Sequence, residues 1–452
     1  MSKDKQSLFG LSQTDQQRLL EQLSGAGKQD APVRTRDDLQ TIPDEYTQIE
    51  SLAAYKEIIL HHEVASAMQL ANPFFMCHQG MAKGRTLING KSYINFSTYD
   101  YLDLNGHPEV NAAACEAMQR YGTSAGASRL VAGERPPHAA LEKGLAAALG
   151  TEACLTFVSG HATNVSAIYT LLGPRDAVFY DALAHNSLLM GAIMSGAARH
   201  KYKHNDMADL RKQLERYRHN YERILIATEG LFSMDGSIVK LPELLALKQE
   251  FKCLLLLDEA HSIGVLGEKG LGAAEYFGIA ASEIDVIMGT LSKTLCGCGG
   301  FVCGSKALIG LLKFKAPGFV YSVGMPPPIA AASAKALELM LREPERVRKL
   351  QENSKLFLAE AKLRGLDTGV AEGYAIVPVI VGGSIIATQL TQAMLDQGVN
   401  ALPIIYPAVE ENMARLRFFI SSASEEADIM FALNTLQDEL NTLQNQPHMQ
   451  GV

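Results

Sequence analysis

The stretch Cys253-Leu-Leu-Leu-Leu-Asp258-Glu-Ala-His261 decides the fold. Its leucines show no alternation, as expected of a strand covered on both faces, and such strands belong to parallel sheets flanked by helices. The next strand-like run, Asp285–Met288, leads straight into Gly289-Thr290-Leu-Ser292-Lys293-Thr294 and a glycine-rich stretch. Working outward, Ser92–Ser97, Ala153–Val158, Ala177–Tyr180 and Ile224–Thr228 read as further strands alternating with helical stretches. That alternation predicts an α/β fold with a mostly parallel sheet. After Pro326-Pro-Pro328 a long helical stretch, Ile329 to Arg364, leads into a smaller α+β unit. Its strands are expected at Ala375–Val381, near Ile404 and at Leu416–Ile420, with a helix at Gln389–Gln397. The expected division is therefore an N-terminal arm over 1–71, a large domain over 72–328 that includes 72–108, and a small domain over 329–452. Within the arm, Leu11 to Leu23 is an amphipathic stretch and Tyr46 to Met68 a second helix.

Composition narrows the function. The 452 residues are 47% hydrophobic and 20% charged, which suits packed domains and excludes a disordered chain. A net charge of −8 argues against a nucleic-acid partner, whose phosphates demand a basic face. No apolar run approaches the roughly 20 residues of a membrane span. The polar N-terminus lacks the apolar core of a secretion signal, and seven cysteines then read as reduced thiols. The expectation is a cytoplasmic enzyme.

Three pattern matches fail on context. Gly122-Thr-Ser124-Ala-Gly126 fits a nucleophile elbow, but helix rather than strand precedes it. Leu257-Asp-Glu-Ala-His261 matches an acidic helicase box without the phosphate loop that box requires. Cys296, Cys298 and Cys303 lack zinc-ligand spacing, and no metal is expected.

The informative set is Asp258, His261 and Lys293. A carboxylate ending a buried apolar strand needs a cationic partner. A lysine just past the C-terminal end of a parallel strand stands where open α/β sheets hold ligands. Such a pair can bind an aldehyde cofactor through the amine and its pyridine nitrogen through the acid. On these residues alone, a loop lysine beside a structural aspartate fits equally well. Other strand ends add to the set: Ser159-Gly160-His161 before a helix, whose N–H groups suit a phosphate; His185, able to stack on a flat ring; and Ser233 after Glu229.

In Phe96-Ser-Thr-Tyr99-Asp100-Tyr101-Leu102, Gly126-Ala-Ser128-Arg129-Leu130 with Gly133, the Ser159 turn, Asp258-Glu-Ala-His261, Thr290-Leu-Ser-Lys293, Tyr321-Ser322 and Ala414-Arg-Leu-Arg417, the chain resembles the α-oxoamine synthases. These are pyridoxal 5'-phosphate enzymes of the aspartate-aminotransferase fold (fold type I). The resemblance runs from about Asn72 to Ile429. It implies that Lys293 is the Schiff-base lysine, that Asp258 pairs with the pyridine nitrogen and that His185 stacks on the ring. His261 and Ser233 would reach the ring hydroxyl, with Ser159, Gly160, His161 and Thr290 at the phosphate and Ser322 reaching it in a homodimer. Arg417 would grip the amino-acid carboxylate, and Arg415, two residues away on the opposite face, would be structural. The implied reaction condenses a small amino acid with an acyl thioester, on coenzyme A or an acyl carrier protein, with loss of CO₂. Tyr99 and Asp100 would stand at the substrate mouth, the Asp100 charge disfavouring anionic acyl groups. Alternatives are an aminotransferase or aldolase of the same fold, or a non-catalytic partner subunit; retention of Lys293, Asp258 and His185 speaks against the last.

Overall fold

The computed structural model describes residues 42–445. The amphipathic stretch Leu11 to Leu23 lies outside the described residues. Strands are numbered in chain order: β1 (His78–Gln79), β2 (Arg85–Ile88), β3 (Lys91–Asn95), β4 (Ala153–Phe157), β5 (Ala177–Asp181), β6 (Ala198–Tyr202), β7 (Ile224–Glu229), β8 (Leu254–Asp258), β9 (Val286–Thr290), β10 (Gly300–Gly304), β11 (Ile376–Gly382), β12 (Val399–Asn400), β13 (Leu402–Ile404) and β14 (Ala414–Phe419).

The large sheet has the order β4-β10-β9-β8-β7-β5-β6, with β10 antiparallel to both neighbours. Every residue of β7, β9 and β10 is buried, so their apolar runs are covered on both faces by helices. From β5 the chain steps outward to β6, then returns to the other side of β5 as β7 and continues to β8 and β9. The order therefore reverses between β5 and β7, and open α/β sheets form their ligand crevice at the carboxyl ends of strands beside such a reversal.

The C-terminal unit is an antiparallel sheet, β11-β14-β13, with Arg417 on β14 opposite Pro378 and Leu402. Two departures from expectation concern its surroundings. Residues 72–108 do not all belong to the large unit: β3 pairs in parallel with β12, giving the sheet β1-β2-β3-β12. The backbone of Phe96 and Tyr101 then accepts hydrogen bonds from Phe419 and Ser422, at 2.9 and 2.8 Å. This pairing brings Tyr99 alongside the Arg417 strand. The long helix expected from Ile329 to Arg364 is two, Pro327–Arg342 and Glu345–Leu363, because Pro344 lacks the N–H to continue the first.

In the expected second arm helix, short 3₁₀ turns at Asp44–Tyr46 and Ile49–Ser51 precede a helix over Ala53–Ala67, which buries none of its side chains. All seven cysteines are free thiols. Among the described residues no helix is long and apolar enough to cross a membrane.

Candidate active site

Five strand ends and one C-terminal strand build the site. β8 ends in Asp258, which is 4% exposed; Oδ1 accepts from the Ala260 N–H at 2.9 Å and Oδ2 from Asn164 Nδ2 at 2.7 Å. Beyond β9, Lys293 sits in a turn that returns to β10, its Nζ 5.7 Å from the centre of the Tyr99 ring. Following β5, His185 caps the helix Asn186–Ser195, accepting at Nδ1 from the Ser187 N–H. Past β7, the turn places the Ser233 carbonyl 2.9 Å from Arg417 Nη1. Ser159 after β4 caps the helix Gly160–Leu171 by accepting from the Ala162 N–H.

The glycine at 160 is a spatial requirement. A Cβ there would stand 3.0 Å from Thr290 Oγ1, and a Cβ on Gly300 would stand 2.7 Å from the Gly160 Cα. The helix start, Thr290 and β10 are thus drawn together at backbone distance, which sets the first N–H groups of the helix beside the Thr290 hydroxyl. That arrangement suits a phosphate.

An aromatic wall closes the other side. Tyr99 packs edge-on against Phe419 (4.8 Å, 77°), and the Arg417 guanidinium lies 4.5 Å from the Phe419 ring centre. His261 is buried, and its Nδ1 lies 2.7 Å from the hydroxyl of the fully buried Tyr101. Burial, then the nearby Lys293 and Arg417 charges, holds His261 well below its usual range, so it is neutral. Burial also lowers Lys293 from its usual value, against the pull of Asp258 and Glu229, favouring a free amine. Glu229, in register with Asp258 across β7 and β8, is pushed up to about 8, first by burial and then by the Asp258 charge.

Tyr99, Ser233, Asp258, His261, Lys293 and Arg417 therefore converge, and His185 joins them through Ser187 and Asn164, which link its Nδ1 to Asp258. The His161 ring meets that of His185 edge-on at 6.4 Å. Arg415 is structural, bound to Asp235 at 2.7 Å. Ser322, whose hydroxyl donates to the Val323 carbonyl, is not brought to the site within one chain.

Asp100 departs from expectation. It is 6% exposed, and its two oxygens accept from the Leu104 and Asn105 N–H groups at 2.9 and 3.0 Å. Asp100 lines the cavity beside Tyr99 and Lys293, but its carboxylate is committed to a turn and pushed up to about 6 chiefly by burial, so it is not a free charge facing the substrate. Two backbone N–H groups already share its charge, which weakens its repulsion of anionic acyl groups. The decoys also resolve structurally: Gly122–Gly126 follows the helix Pro108–Tyr121, and Glu259 accepts the Ala273 N–H.

Sequence reasoning missed Asn164, Tyr101 and Glu229. Glu229 had a signal, since it ends β7 beside Asp258. Asn164 had a weaker one, standing four residues after Gly160 on the same helix face.

A helix start beside a hydroxyl, a partly buried amine and a buried acid near it fit pyridoxal phosphate. Comparison with known proteins agrees. The family model for aminotransferases of class I and II matches residues 91–436. The 8-amino-7-oxononanoate synthase of Symbiobacterium thermophilum is 41% identical over 355 residues, 78% of this chain and 90% of that protein. A putative 8-amino-7-oxononanoate synthase of Desulforudis audaxviator is 43% identical over 353 residues, 78% of this chain and 90% of its own. Among solved structures, Sphingomonas wittichii serine palmitoyltransferase superposes with a TM-score of 0.84 at 26% identity, covering 88% of this chain and 100% of that one. The site, the fold and these relatives agree: the chain belongs to the aminotransferase class I and II family, and within it to the pyridoxal-phosphate-dependent α-oxoamine synthases, which are acyltransferases.

Proposed function

We propose that this enzyme condenses a small neutral amino acid (glycine, alanine or serine) with an acyl thioester carried on coenzyme A or an acyl carrier protein. The Cα–acyl bond forms, the carbon–sulfur bond breaks to release the thiol, and the amino-acid carboxylate leaves as CO₂. The observation that carries this reading is Arg417. Arg415, two residues earlier, is neutralised by Asp235, whereas Arg417 has no carboxylate partner among the described residues and its buried Nε is unpaired. A half-buried guanidinium left in this condition suits the carboxylate of a substrate.

Bound pyridoxal phosphate supplies an aldehyde that captures the substrate amine and a ring that takes up the electron pair freed at Cα. Lys293 holds the cofactor and moves the proton at Cα. Asp258 keeps a proton on the ring nitrogen, His185 lies against the ring, and His261 and Ser233 serve its hydroxyl. Ser159, Gly160, His161 and Thr290 hold the phosphate, joined by Ser322 of the partner subunit in a homodimer. Tyr99 borders the substrate entrance. The relatives' name supports the product class, since an 8-amino-7-oxo compound carries its amine beside a ketone. The methyl beyond that amine makes alanine the expected preference among the three amino acids.

The test is CO₂ release from the three amino acids with short and long acyl thioesters on both carriers. Release is expected only with both substrates present. Conversion of the amino acid to its keto acid at the same rate without thioester would instead make the enzyme an aminotransferase. Arg417→Ala should keep cofactor absorbance but raise KM for the amino acid about 10- to 100-fold, the worth of a charge-assisted hydrogen bond. Arg417→Lys should recover only part of this, because an ammonium cannot bind bidentately. An unchanged KM in Arg417→Ala would place the carboxylate elsewhere.

A further inference from the structure

Asp258 and His185 stand on different strand ends, and one buried side chain joins them. Asn164, on the helix Gly160–Leu171, is 1% exposed. Its Nδ2 donates to Asp258 Oδ2 at 2.7 Å and to Ser187 Oγ at 2.9 Å. Ser187 Oγ in turn lies 2.8 Å from His185 Nδ1. We propose that Asn164 and Ser187 form a positioning relay that anchors the Asp258 carboxylate and fixes His185 as the tautomer protonated on Nε2.

Donor accounting fixes each direction. A carboxylate only accepts, so the end of the Asn164 amide facing Asp258 must be the nitrogen. The second hydrogen of that nitrogen goes to Ser187 Oγ. That hydroxyl, already accepting, turns its own hydrogen to His185 Nδ1. The backbone N–H of Ser187 also points at Nδ1, but at 3.3 Å this longer, weaker contact does not hold the tautomer without the hydroxyl. Two donors on Nδ1 leave the ring proton on Nε2, on the other side of the imidazole. Asn164 Oδ1, by contrast, has no partner. Burying an unsatisfied carbonyl is costly, so an asparagine kept only for packing is better replaced by an apolar side chain. The nitrogen's two bonds are what the fold retains. Neither relay residue touches the reacting atoms; each acts through Asp258 or His185.

The inference rests on the roles proposed above for those two residues, but its readout does not. The holoenzyme, labelled with ¹⁵N in histidine, gives the ring-nitrogen shifts of His185, assigned by comparison with His185→Asn. The wild type should show a protonated Nε2 and an unprotonated Nδ1. Ser187→Ala and Asn164→Leu should move both shifts toward a tautomeric average and lower kcat about 10- to 100-fold, the usual cost of losing such a supporting partner, with KM for the amino acid within about threefold. Ser187→Thr keeps the hydroxyl and should restore the wild-type shifts. If Asn164→Leu fails to fold, the Ser187→Ala and Ser187→Thr pair decides alone. Wild-type shifts in Ser187→Ala overturn the relay whatever the turnover. Shifts that move as expected, in an enzyme that releases no CO₂ from any substrate pair, uphold the relay and overturn the proposed reaction.

Discussion

Lys293→Ala should yield a folded protein that lacks the visible absorbance of covalently held cofactor and has lost at least about 10³-fold in CO₂ release, the scale of a missing general base. The expectation comes from position. Lys293 lies in the turn between β9 and β10, with Tyr99 on one side and the Asp258 and Glu229 carboxyls acting on its charge. Burial lowers its pKa, so more of the amine is unprotonated at neutral pH than in an exposed lysine. An unprotonated amine is what both bond formation to an aldehyde and proton abstraction require. Removal should leave the fold intact, because burying an ammonium opposes stability. With cofactor removed from both proteins, the unfolding midpoint should therefore hold steady or rise. Difference spectra and single-turnover rates check it. Full turnover by the alanine variant would reduce Lys293 to a loop cation.

The parts of the site legible in the sequence are those that one strand and its following turn specify together. The leucine run before Asp258 announces a doubly covered strand, and the short distance from β9 to Lys293 leaves the side chain at the strand's carboxyl end. What escaped depends on contacts between distant segments. β10 is written Gly-Phe-Val-Cys-Gly and reads as a loop, yet the glycine at 300 is there because Gly160 packs against it. β6 escaped because it is a sheet edge, with Arg199 and Lys201 exposed and Tyr202 buried. Charged residues on an edge strand prevent further pairing and blur the strand pattern. Asn164 belongs to no motif, and its role appears only when its helix lies against the end of β8.

Asp100 shows the converse case, a residue at the cavity whose carboxylate serves the backbone. Its neighbour Tyr99 does face the site, and strand-like alternation would have sent Asp100 away from it. The segment is not a strand: Tyr101 N–H bonds back to the Tyr99 carbonyl, and the Asp100 carboxylate caps the turn leading to Gly106. An aspartate followed within six residues by Asn105-Gly106 is a turn signature, and that signal outweighed the charge.

Asp258→Asn should keep its fold and bind cofactor but lose roughly 10²- to 10³-fold in kcat, the scale found when one preorganised electrostatic partner is removed. A neutral amide cannot hold a proton on a pyridine nitrogen, so the ring takes up the Cα electron pair less readily. The surroundings sharpen the expectation. Both oxygens of Asp258 accept hydrogen bonds, from Ala260 N–H and Asn164 Nδ2. The amide can satisfy one of these donors, while its NH₂ group meets the other. Either two donors face each other, costing about 1–3 kcal/mol of stability, or the Asn164 amide turns to offer its unpaired Oδ1 and surrenders Ser187. Loss of the negative charge acts on the neighbours with definite signs. Asp258 raises both Lys293 and Glu229, so both fall when it is neutralised, and Glu229 drops below about 8 toward its ordinary value. A carboxylate then persists beside Lys293 in the variant, but attached to β7, one strand away from its former place. If proximity of any negative charge were enough, raising the pH to ionise Glu229 would restore turnover. The expected profile shows no such recovery, and Glu229→Gln added to Asp258→Asn should change kcat by less than about threefold. A rate equal to wild type in Asp258→Asn would make the aspartate a structural strand end, and recovery at high pH would transfer its role to Glu229.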